Sequence, residues 1–316
     1  MRILITGGAG FIGSHLADAY LAGGHEVGVV DDLSSGSRDN LDPRVRFWQA
    51  DIRGPELPVI LAEFRPDVVS HHAAQMSVSY STRDPRADAD INIMGTLNLL
   101  EGAIRQQVGR VVFSSTGGAM YGEQDHLPTS EAVFPEPISP YGVAKLAVER
   151  YLHAFQAMHG LRAVALRYAN VYGPRQNPHG EAGVVAIFSR AILDGQPVTV
   201  NGDGEQTRDY VYVGDVVRAN LLATAIPLGA SVPILNIGTG QQSSVNQLVQ
   251  LLGQVAGHEV ARREAPPRPG EQRRSCLDAA LARRVLGWEP RLKLRSGLEE
   301  TFRWFQGTAH GAHGTG

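Results

Sequence analysis

Cysteine and long hydrophobic runs are the features that this chain of 316 residues most clearly lacks. Cys276 is the one cysteine, which excludes an internal disulfide framework and a cysteine-rich metal site. The eleven histidines are scattered, so we expect no bound metal. No apolar run reaches the ~18 residues of a membrane span, and the first apolar run begins at Arg2, leaving no room for a signal peptide. We therefore expect a cytoplasmic protein without a membrane partner.

An excess of positive charge is also missing. The chain has 29 Lys and Arg against 32 Asp and Glu, a formal net charge of −3. A nucleic-acid partner therefore has no electrostatic support.

A glycine-rich turn follows the first apolar run, Arg2 to Thr6, which we interpret as a buried strand. The turn is Gly7-Gly-Ala-Gly10-Phe11-Ile12-Gly13, and an amphipathic stretch from Ser14 to Ala22 indicates a helix after it. Glycines permit a tight turn and let backbone N–H groups approach a pyrophosphate at the N-terminus of a helix. The G-x-x-G-x-x-G spacing differs from the G-x-G-x-x-G of ordinary dinucleotide dehydrogenases, but the predicted strand, turn and helix indicate a dinucleotide site.

Acidic residues close the next two predicted strands. Asp31 ends the strand that starts at Glu26, where a carboxylate accepts hydrogen bonds from the adenosine ribose. Such a carboxylate repels a 2′-phosphate, so we expect NAD and not NADP. Asp51 and Ile52 follow a third strand, Val45 to Gln49, and we predict that they meet the adenine.

Strand-like and helix-like runs alternate through the first half of the chain. Further strands are predicted at Val68 to His71, Arg110 to Ser114 and Ala163 to Tyr168, with helices at Ile91 to Gln106 and Tyr141 to His159. This alternation predicts an α/β fold, a Rossmann-type doubly wound parallel sheet. Pro and Gly clusters break the rhythm after Tyr168. We therefore predict an NAD-binding domain over 1–168 and a smaller, mainly substrate-binding region over 169–316, with segments such as Ile234 to Gly238 returning to the sheet.

Tyr141 and Lys145 lie just over one turn apart if their segment is helical, so the phenol and the ammonium share a face. A cation beside a phenol favours the phenolate and lowers its pKa toward the range of general-base chemistry. The pair alone is typical of surface contacts as well. Its interpretation depends on the residues around it.

Several motifs together resemble the extended short-chain dehydrogenase/reductase family, and within it the UDP-hexose 4-epimerases. They extend over nearly the whole chain: Thr6 to Gly13, His72-Ala73-Ala74, Ser114-Ser115-Thr116 with Tyr121-Gly122, Tyr141-x-x-x-Lys145, Arg167 to Pro174, Arg208 to Asp215 and Arg268-Pro-Gly-Glu271. The resemblance implies a bound NAD, a UDP-sugar substrate and transient oxidation at the sugar C4. It also implies a homodimer, formed by the helices Ile91 to Gln106 and Tyr141 to His159.

Catalytic roles follow from this resemblance. It implies that Tyr141 is the base for the sugar 4-hydroxyl. It also implies that Lys145 binds the nicotinamide ribose and, together with the positive nicotinamide, lowers the Tyr141 pKa. Thr116 stands where the family places a hydroxyl that contacts the same oxygen, with Ser115 as a substitute. Ala73, Ala74 and Tyr168 would contact the cofactor, Tyr168 near the nicotinamide.

Substrate contacts are implied in the same way. Arg208, Arg268 and Asn170 resemble residues that contact the diphosphate, Glu271 one that holds the uridine ribose, and Thr199 and Asn201 are candidates for the uracil. Ser275 falls where the family sets the pocket width near the sugar 2-position. A serine there leaves room for an N-acetyl group, so UDP-N-acetylglucosamine is a predicted additional substrate.

The segment after Thr116 departs from the commonest family pattern. Gly117-Gly118-Ala-Met precedes Tyr121, one residue more than usual, and we expect Gly117 and Gly118 to approach the sugar closely. Because the 4,6-dehydratase branch needs an Asp and a Glu directly after the threonine, two glycines argue against that activity. A uronate epimerase, a decarboxylase, a sugar reductase and a non-catalytic dinucleotide sensor stay open as alternatives.

Overall fold

A computed structural model of the chain describes residues 1–178, 183–229, 231–267 and 272–311. The strands are β1 (Arg2–Thr6), β2 (Glu26–Asp31), β3 (Arg46–Gln49), β4 (Val68–His71), β5 (Arg110–Thr116), β6 (Ala163–Tyr168), β7 (Asn170–Tyr172), β8 (Val198–Asn201), β9 (Thr207–Arg208), β10 (Tyr210–Tyr212), β11 (Ile234–Ile237), β12 (Ser243–Ser244) and β13 (Arg262–Ala265). The α-helices are α1 (Phe11–Ala22), α2 (Glu56–Phe64), α3 (Val78–Arg83), α4 (Pro85–Ala89), α5 (Gly95–Arg105), α6 (Pro140–His159), α7 (Val184–Leu193), α8 (Val213–Ala225), α9 (Val245–Ala256), α10 (Ala280–Leu286) and α11 (Leu294–Gly311). A 3₁₀ turn spans Arg38–Asn40, and a π-helical turn, Asp90–Met94, joins α4 to α5.

Seven parallel strands form the main sheet in the order β3-β2-β1-β4-β5-β6-β11. The order reverses between β1 and β4, and open parallel sheets bind ligands beyond the carboxyl ends of strands at such a point. The predicted Rossmann-type α/β fold is confirmed.

Apolar clusters cover both faces of this sheet. One contains Ile3, Leu16 and Leu235, and the other contains Leu4, Phe64 and Leu152. Alternate residues of a strand face opposite sides, which is why neighbouring Ile3 and Leu4 enter different clusters. Burial on both faces explains the almost wholly apolar strands read from the sequence.

The C-terminal residues contribute to two layers. β11 extends the main sheet beside β6, and α8 packs against α1. The remaining strands pair in three small ribbons, β7 with β10, β8 with β13 and β9 with β12. A third core that includes Phe188, Leu248 and Phe302 supports these ribbons. The division at Tyr168 stays a prediction, since residues on its C-terminal side build part of the Rossmann layer.

None of the helices in the described ranges combines the length and the apolar character needed to cross a bilayer.

Candidate active site

A cavity of about 620 Å³ opens at the switch point between β1 and β4. Its lining includes all the residues predicted for the cofactor and the catalysis: Gly7, Gly10, Phe11, Ile12, Gly13, Asp31, Asp51, Ile52, Ala73, Ala74, Thr116, Tyr141, Lys145 and Tyr168. These residues come from the carboxyl ends of the six strands β1 to β6 and from α1 and α6. The volume lies within the usual range of ligand pockets.

The glycine turn is shaped by close backbone approaches. Gly7 has a φ of +68°, and a Cβ added to it would lie 2.6 Å from the Ala73 nitrogen. A Cβ on Gly13 would overlap the Gly7 carbonyl oxygen and the Gly8 Cα. Helix α1 begins at Phe11, three residues earlier than predicted, so the first turn of the helix includes the last residues of the glycine-rich segment. Phe11, Ile12 and Gly13 of that first turn line the cavity, and the N–H groups of a first turn have no partner within their helix, as an anion site requires.

Asp31 lies at the end of β2, almost completely buried. One carboxylate oxygen accepts a hydrogen bond from the Ala9 N–H and the other from the Leu33 N–H, both at 2.9 Å. Burial raises the Asp31 pKa, whereas these two hydrogen bonds lower it. Because each carboxylate oxygen has a second lone pair, the fixed carboxylate can still accept hydrogen bonds from a ribose diol.

Asp51 and Ile52 line the same end of the cavity. The Asp51 carboxylate is paired with Arg53 at 2.5 Å, and that hydrogen bond holds its pKa below the ordinary value. Asn98 donates to the Ile52 carbonyl at 2.7 Å and fixes this loop. The adenine contact stays a prediction.

Helix α6 positions Tyr141 and Lys145. Ser139 caps its N-terminus by accepting a hydrogen bond from Gly142 N–H at 3.2 Å, and Pro140 occupies the first turn. The Lys145 Nζ lies 5.9 Å from the centre of the Tyr141 ring. The two side chains therefore share one face of the helix, inside the cavity.

Lys145 is only 4% exposed. Its Nζ donates to the Ser114 carbonyl at 2.9 Å and lies 4.8 Å from the centre of the Phe113 ring. Burial lowers the Lys145 pKa to about 8, against the opposing charges of Asp88 and Glu149. The ammonium is thus close to its titration range near neutral pH.

The expected lowering of the Tyr141 pKa is absent from the protein alone. Burial raises this pKa to about 12, the Asp88 charge raises it further, and a hydrogen bond with Thr116 acts in the opposite direction. A neighbouring cation favours the phenolate, but the cost of burying a negative charge is the larger effect at this site. The protein alone therefore keeps this phenol neutral.

Thr116 and Ser115 end β5 with different partners. Thr116 contacts the Tyr141 phenol and accepts a hydrogen bond from the Ala119 N–H at 3.2 Å. The Ser115 hydroxyl donates instead to buried Glu149 at 2.7 Å. Ser115 as a substitute for Thr116 was therefore wrong, since adjacent strand residues point to opposite faces.

Gly117 and Gly118 have different surroundings. A Cβ on Gly117 would overlap the side chain of Leu277, and the Gly117 N–H is already bonded to the Tyr168 carbonyl at 2.8 Å. A Cβ on Gly118 would lie 3.6 Å from the amide oxygen of Asn170, an ordinary contact. Packing against Leu277 explains the first glycine, and Asn170 lies beside the second. A sugar contact at Gly117 stays a prediction.

Tyr168 lies at the end of β6, stacked on His72 with ring centres 6.3 Å apart. The hydroxyl of Tyr168 contacts the side chain of Asn220. Burial lowers the His72 pKa to about 3, so this ring is neutral. Both rings line the cavity.

Thr116 lines this cavity, whereas the other predicted substrate residues that the structure describes lie outside its lining: Gly117, Asn170, Thr199, Asn201, Arg208 and Ser275. Arg208 in β9 donates to the Thr207 carbonyl at 2.8 Å, and the Ser275 N–H bonds to the same carbonyl at 3.2 Å. The structure thus brings Arg208 and Ser275 together. Neighbouring Asp209 is buried and accepts hydrogen bonds from the Leu277 and Thr239 N–H groups, so it serves to hold this region in place.

Thr199 and Asn201 lie on β8, where the Thr199 hydroxyl accepts a hydrogen bond from Arg263 at 3.2 Å. The paired strand β13 ends at Ala265, shortly before Arg268. Arg268 and Glu271 lie outside the described residues.

A buried polar network beneath the cavity was missed by the sequence reasoning. Asp88 Oδ1 accepts hydrogen bonds from Gln75 Nε2 at 2.7 Å and from Asn92 Nδ2 at 3.0 Å. The Thr96 hydroxyl donates to the Asn92 carbonyl and contacts His71. Asp88, Asn92 and Thr96 recur every four residues, and a polar stripe at helical spacing was the available signal.

Arg175 was also missed, although it directly follows the Arg167 to Pro174 motif. It lines the cavity with a φ of +64° and pairs with Asp18 of α1 at 2.7 Å. Its buried Nη1 has no hydrogen-bond partner among the described residues. A guanidinium here adds positive charge to the lining of the cavity, beside α1.

Comparison with known proteins decides among the enzymes that this geometry could serve. A model of the NAD dependent epimerase/dehydratase family matches residues 3–238. The chain belongs to this family. The resemblance seen in the sequence is thereby confirmed, and the family's cofactor, NAD, is the cofactor of this chain.

Solved members of the NAD-dependent epimerase/dehydratase family have the same architecture. The UDP-glucose 4-epimerase of Thermotoga maritima, solved with UDP-glucose, is 50% identical with a TM-score of 0.95, over 98% of this chain and 100% of that one. The enzyme of Thermus thermophilus, solved with NAD, is 45% identical with a TM-score of 0.92, over 97% and 99%. A UDP-N-acetylglucosamine 4-epimerase of Methanobrevibacter ruminantium is 33% identical with a TM-score of 0.91, over 97% and 98%.

The cavity fits the family's cofactor by its own construction. Gly7 and Gly13 permit the close backbone approaches of a tight turn, and this turn lines the cavity, where it can lie against a pyrophosphate. The Asp31 carboxylate lines the same cavity and is held in place by the Ala9 N–H. Lys145 and Tyr141 lie at the other end, where the nicotinamide half would be held.

Proposed function

We propose that this chain catalyses epimerisation at C4 of a UDP-hexose, interconverting UDP-glucose and UDP-galactose through a 4-keto sugar. One observation carries the proposal. The Tyr141 phenol contacts the Thr116 hydroxyl at one end of a cavity whose other end is formed by the glycine turn and Asp31. A proton acceptor, a second hydroxyl and a dinucleotide cradle are thus combined in one pocket.

Tyr141 is the residue that removes the proton of the sugar 4-hydroxyl and later returns it. Thr116 binds the same oxygen and keeps it aligned with the phenol. When bound, NAD supplies the acceptor and then the donor of the hydride at C4, and it is regenerated in each cycle. Lys145 holds the nicotinamide ribose, and its positive charge favours the phenolate of Tyr141. Asp31 fixes the adenosine ribose.

The substrate is held by its nucleotide and not by its sugar. Arg208 and Arg268 bind the diphosphate with Asn170, Glu271 binds the uridine ribose, and Thr199 and Asn201 contact the uracil. Guanidinium groups match phosphate oxygens in geometry and charge. With the nucleotide anchored, the 4-keto sugar can turn over and present its other face to the cofactor.

Purified protein with UDP-galactose and no added NAD tests the proposal. We expect UDP-glucose to form, because the cofactor is resident and recycled, and Tyr141→Phe to lose at least ~10²-fold in kcat. UDP-glucuronate tests the uronate alternatives. Failure to convert all three of UDP-galactose, UDP-N-acetylgalactosamine and UDP-glucuronate would refute an epimerase. Release of water to a 4-keto-6-deoxy sugar would indicate a dehydratase.

An N-acetylated sugar is the second candidate substrate, favoured by Ser275. This small, buried side chain lies beside the Arg208 segment, two residues before Leu277, which contacts Gly117. Replacing Ser275 by Tyr is expected to abolish turnover of UDP-N-acetylgalactosamine and to spare UDP-galactose. Equal loss of both activities would place Ser275 away from the sugar 2-position.

The homodimer is proposed from exposed apolar side chains. Val143, Tyr151 and Met158 are exposed along α6, and Met94 is exposed just before α5. Burying both helices against a second copy would remove these side chains from water. Light scattering is expected to give the dimer mass. Val143→Glu should reduce the measured mass, whereas Val285→Glu, at an exposed valine of α10, should leave it unchanged.

The proposal also places the protein in the cytoplasm and in galactose metabolism. The single free cysteine accords with a reducing compartment.

A further inference from the structure

Two buried carboxylates among the described residues act on Lys145, those of Asp88 and Glu149, and they differ in whether they already have a charged partner. The Glu149 carboxylate is engaged by Arg167, with Nε at 2.9 Å and Nη2 at 2.6 Å. Lys145 itself donates a hydrogen bond to the Ser114 carbonyl but forms no ion pair with a carboxylate of the described residues. A buried ammonium is costly unless an opposite charge lies nearby.

Asp88 is the carboxylate that remains. It is 1% exposed, on the short helix α4, which packs against α6. Two neutral amides, from Gln75 and Asn92, hold its Oδ1. Its Oδ2 is buried and has no hydrogen-bond partner among the described residues. Neutral amides orient a carboxylate without cancelling its charge.

We infer that Asp88 is the buried counterion of Lys145 and keeps this ammonium charged in the active site. Asp88 acts through Lys145, so it is a positioning residue and not a catalytic one. The π-helical turn that follows α4 supports this role, because it places Asn92 where its amide can hold Asp88, and such turns are frequent at functional sites.

Other charged groups do not replace Asp88. On α3 and α4, Arg83 and Arg86 are exposed to solvent, as is Asp90 of the π-helical turn. His71, at the end of β4, and His72, directly after it, lie near Lys145, but burial lowers the pKa of both rings, which are therefore neutral.

The electrostatic influences agree with this arrangement. Burial dominates the Lys145 pKa, and the charge of Asp88 is the largest influence that opposes it. Burial raises the Asp88 pKa, while the two amides and then Lys145 lower it. The charge of Asp88 also raises the Tyr141 pKa, and burial is the only larger influence on that pKa. Asp88 therefore keeps the lysine protonated and, in the absence of cofactor, keeps the phenol neutral.

Asp88→Asn tests the inference with little change in shape. The new amide oxygen can still accept both hydrogen bonds from Gln75 and Asn92, so mainly the charge is removed. The chain has two lysines, Lys145 and Lys293, so protein labelled with [ε-¹³C]lysine gives two lysine signals whose pH titration reports each pKa. We expect the Lys145 pKa to fall by about one unit or more, with Lys293 unchanged.

Controls separate charge from structure. Asp194→Asn removes a carboxylate that is paired with Arg190 at the end of α7 and should leave the Lys145 titration unchanged. Asp88→Glu keeps the charge, so the Lys145 pKa should stay close to its value in the parent protein. Asp88→Ser is a second uncharged variant, for use if Asp88→Asn does not fold. An unchanged Lys145 titration in a folded, uncharged variant would overturn the inference.

The consequence for catalysis rests on the proposed function. In Asp88→Asn the alkaline limb of kcat/KM against pH is expected to move to lower pH by the shift measured for Lys145, whereas a merely structural defect lowers the rate at every pH alike. Because the lysine titration needs no turnover, it can succeed even if the protein epimerises none of the sugars tested.

Discussion

Replacing Lys145 by Met should make the cofactor-free protein more stable near neutral pH. The two side chains are similar in length, but Met carries no charge into a site that is 4% exposed. Burial lowers the Lys145 pKa from 10.5 to about 8. A shift of this size corresponds to about 3 kcal/mol of unfolding free energy at pH 7.

The sign follows from proton binding. Between about pH 8 and 10.5 the unfolded chain holds more protons on this lysine than the folded protein does, so the stability of the parent rises with pH in that window. Below pH 8 the full penalty for burying the ammonium is present. Met never incurs this penalty, but it gives up the hydrogen bond to the Ser114 carbonyl, which costs about 1 kcal/mol. The expected net gain is therefore about 2 kcal/mol at pH 7 and close to zero at pH 10.

Urea unfolding of both proteins after removal of NAD, at pH 7 and pH 10, measures this difference. Lys293 provides a matched control, because it is the other lysine of the chain and is exposed. Lys293→Met should change the unfolding free energy by less than about 0.5 kcal/mol at either pH. A Lys145→Met protein that is less stable than the parent at pH 7, or equally more stable at both pH values, would refute the reasoning. The variant is expected to lose activity, so stability and function oppose each other at this position.

Two further predictions concern the scaffold and the cofactor. Glu149→Gln leaves the buried Arg167 charge unpaired, with the pair at 0% and 3% exposure, so urea unfolding should record a loss of about 3–5 kcal/mol. A double variant with Glu149 replaced by Leu and Arg167 by Met should regain much of the lost unfolding free energy. A loss below about 1 kcal/mol in Glu149→Gln alone would contradict a coupled pair. Gly13→Ala places a methyl against the Gly7 carbonyl, so the purified protein should contain much less NAD by absorbance. Gly307→Ala, at a helical position with open space around it, is the control and should retain the parent NAD content.

Residues that act through the backbone or the nearest helical turn could be predicted from the sequence. The glycine turn and Asp31 belong to one strand–helix–strand unit: the turn follows its first strand, and Asp31 ends its second strand. The geometry of this unit places both at the same edge of the sheet. Tyr141 and Lys145 are one turn apart, and helix geometry alone places them together. Strand alternation would also have separated Ser115 from Thr116, so that error lay in the use of the sequence and not in its content.

Asp88 could not be placed from the sequence because its partners lie on other elements. Its contacts with Gln75 and its packing on α6 depend on how α4 crosses α6. The raised pKa of Tyr141 in the absence of cofactor could not be predicted for the same reason, since burial is a property of the assembled site. Gly117 likewise depends on Leu277, which is distant in the sequence.

The sequence by itself determined the parallel α/β sheet, the dinucleotide cradle, the Tyr141–Lys145 pair and the family. Each depends on short-range spacing or on motifs that can be recognised in the sequence alone. Only the tertiary structure decided which hydroxyl meets the phenol, what Gly117 packs against, and how the charges of Lys145, Asp88, Glu149 and Arg167 are distributed. Electrostatic energies depend on distance and burial, and both are fixed only when elements far apart in the chain pack together.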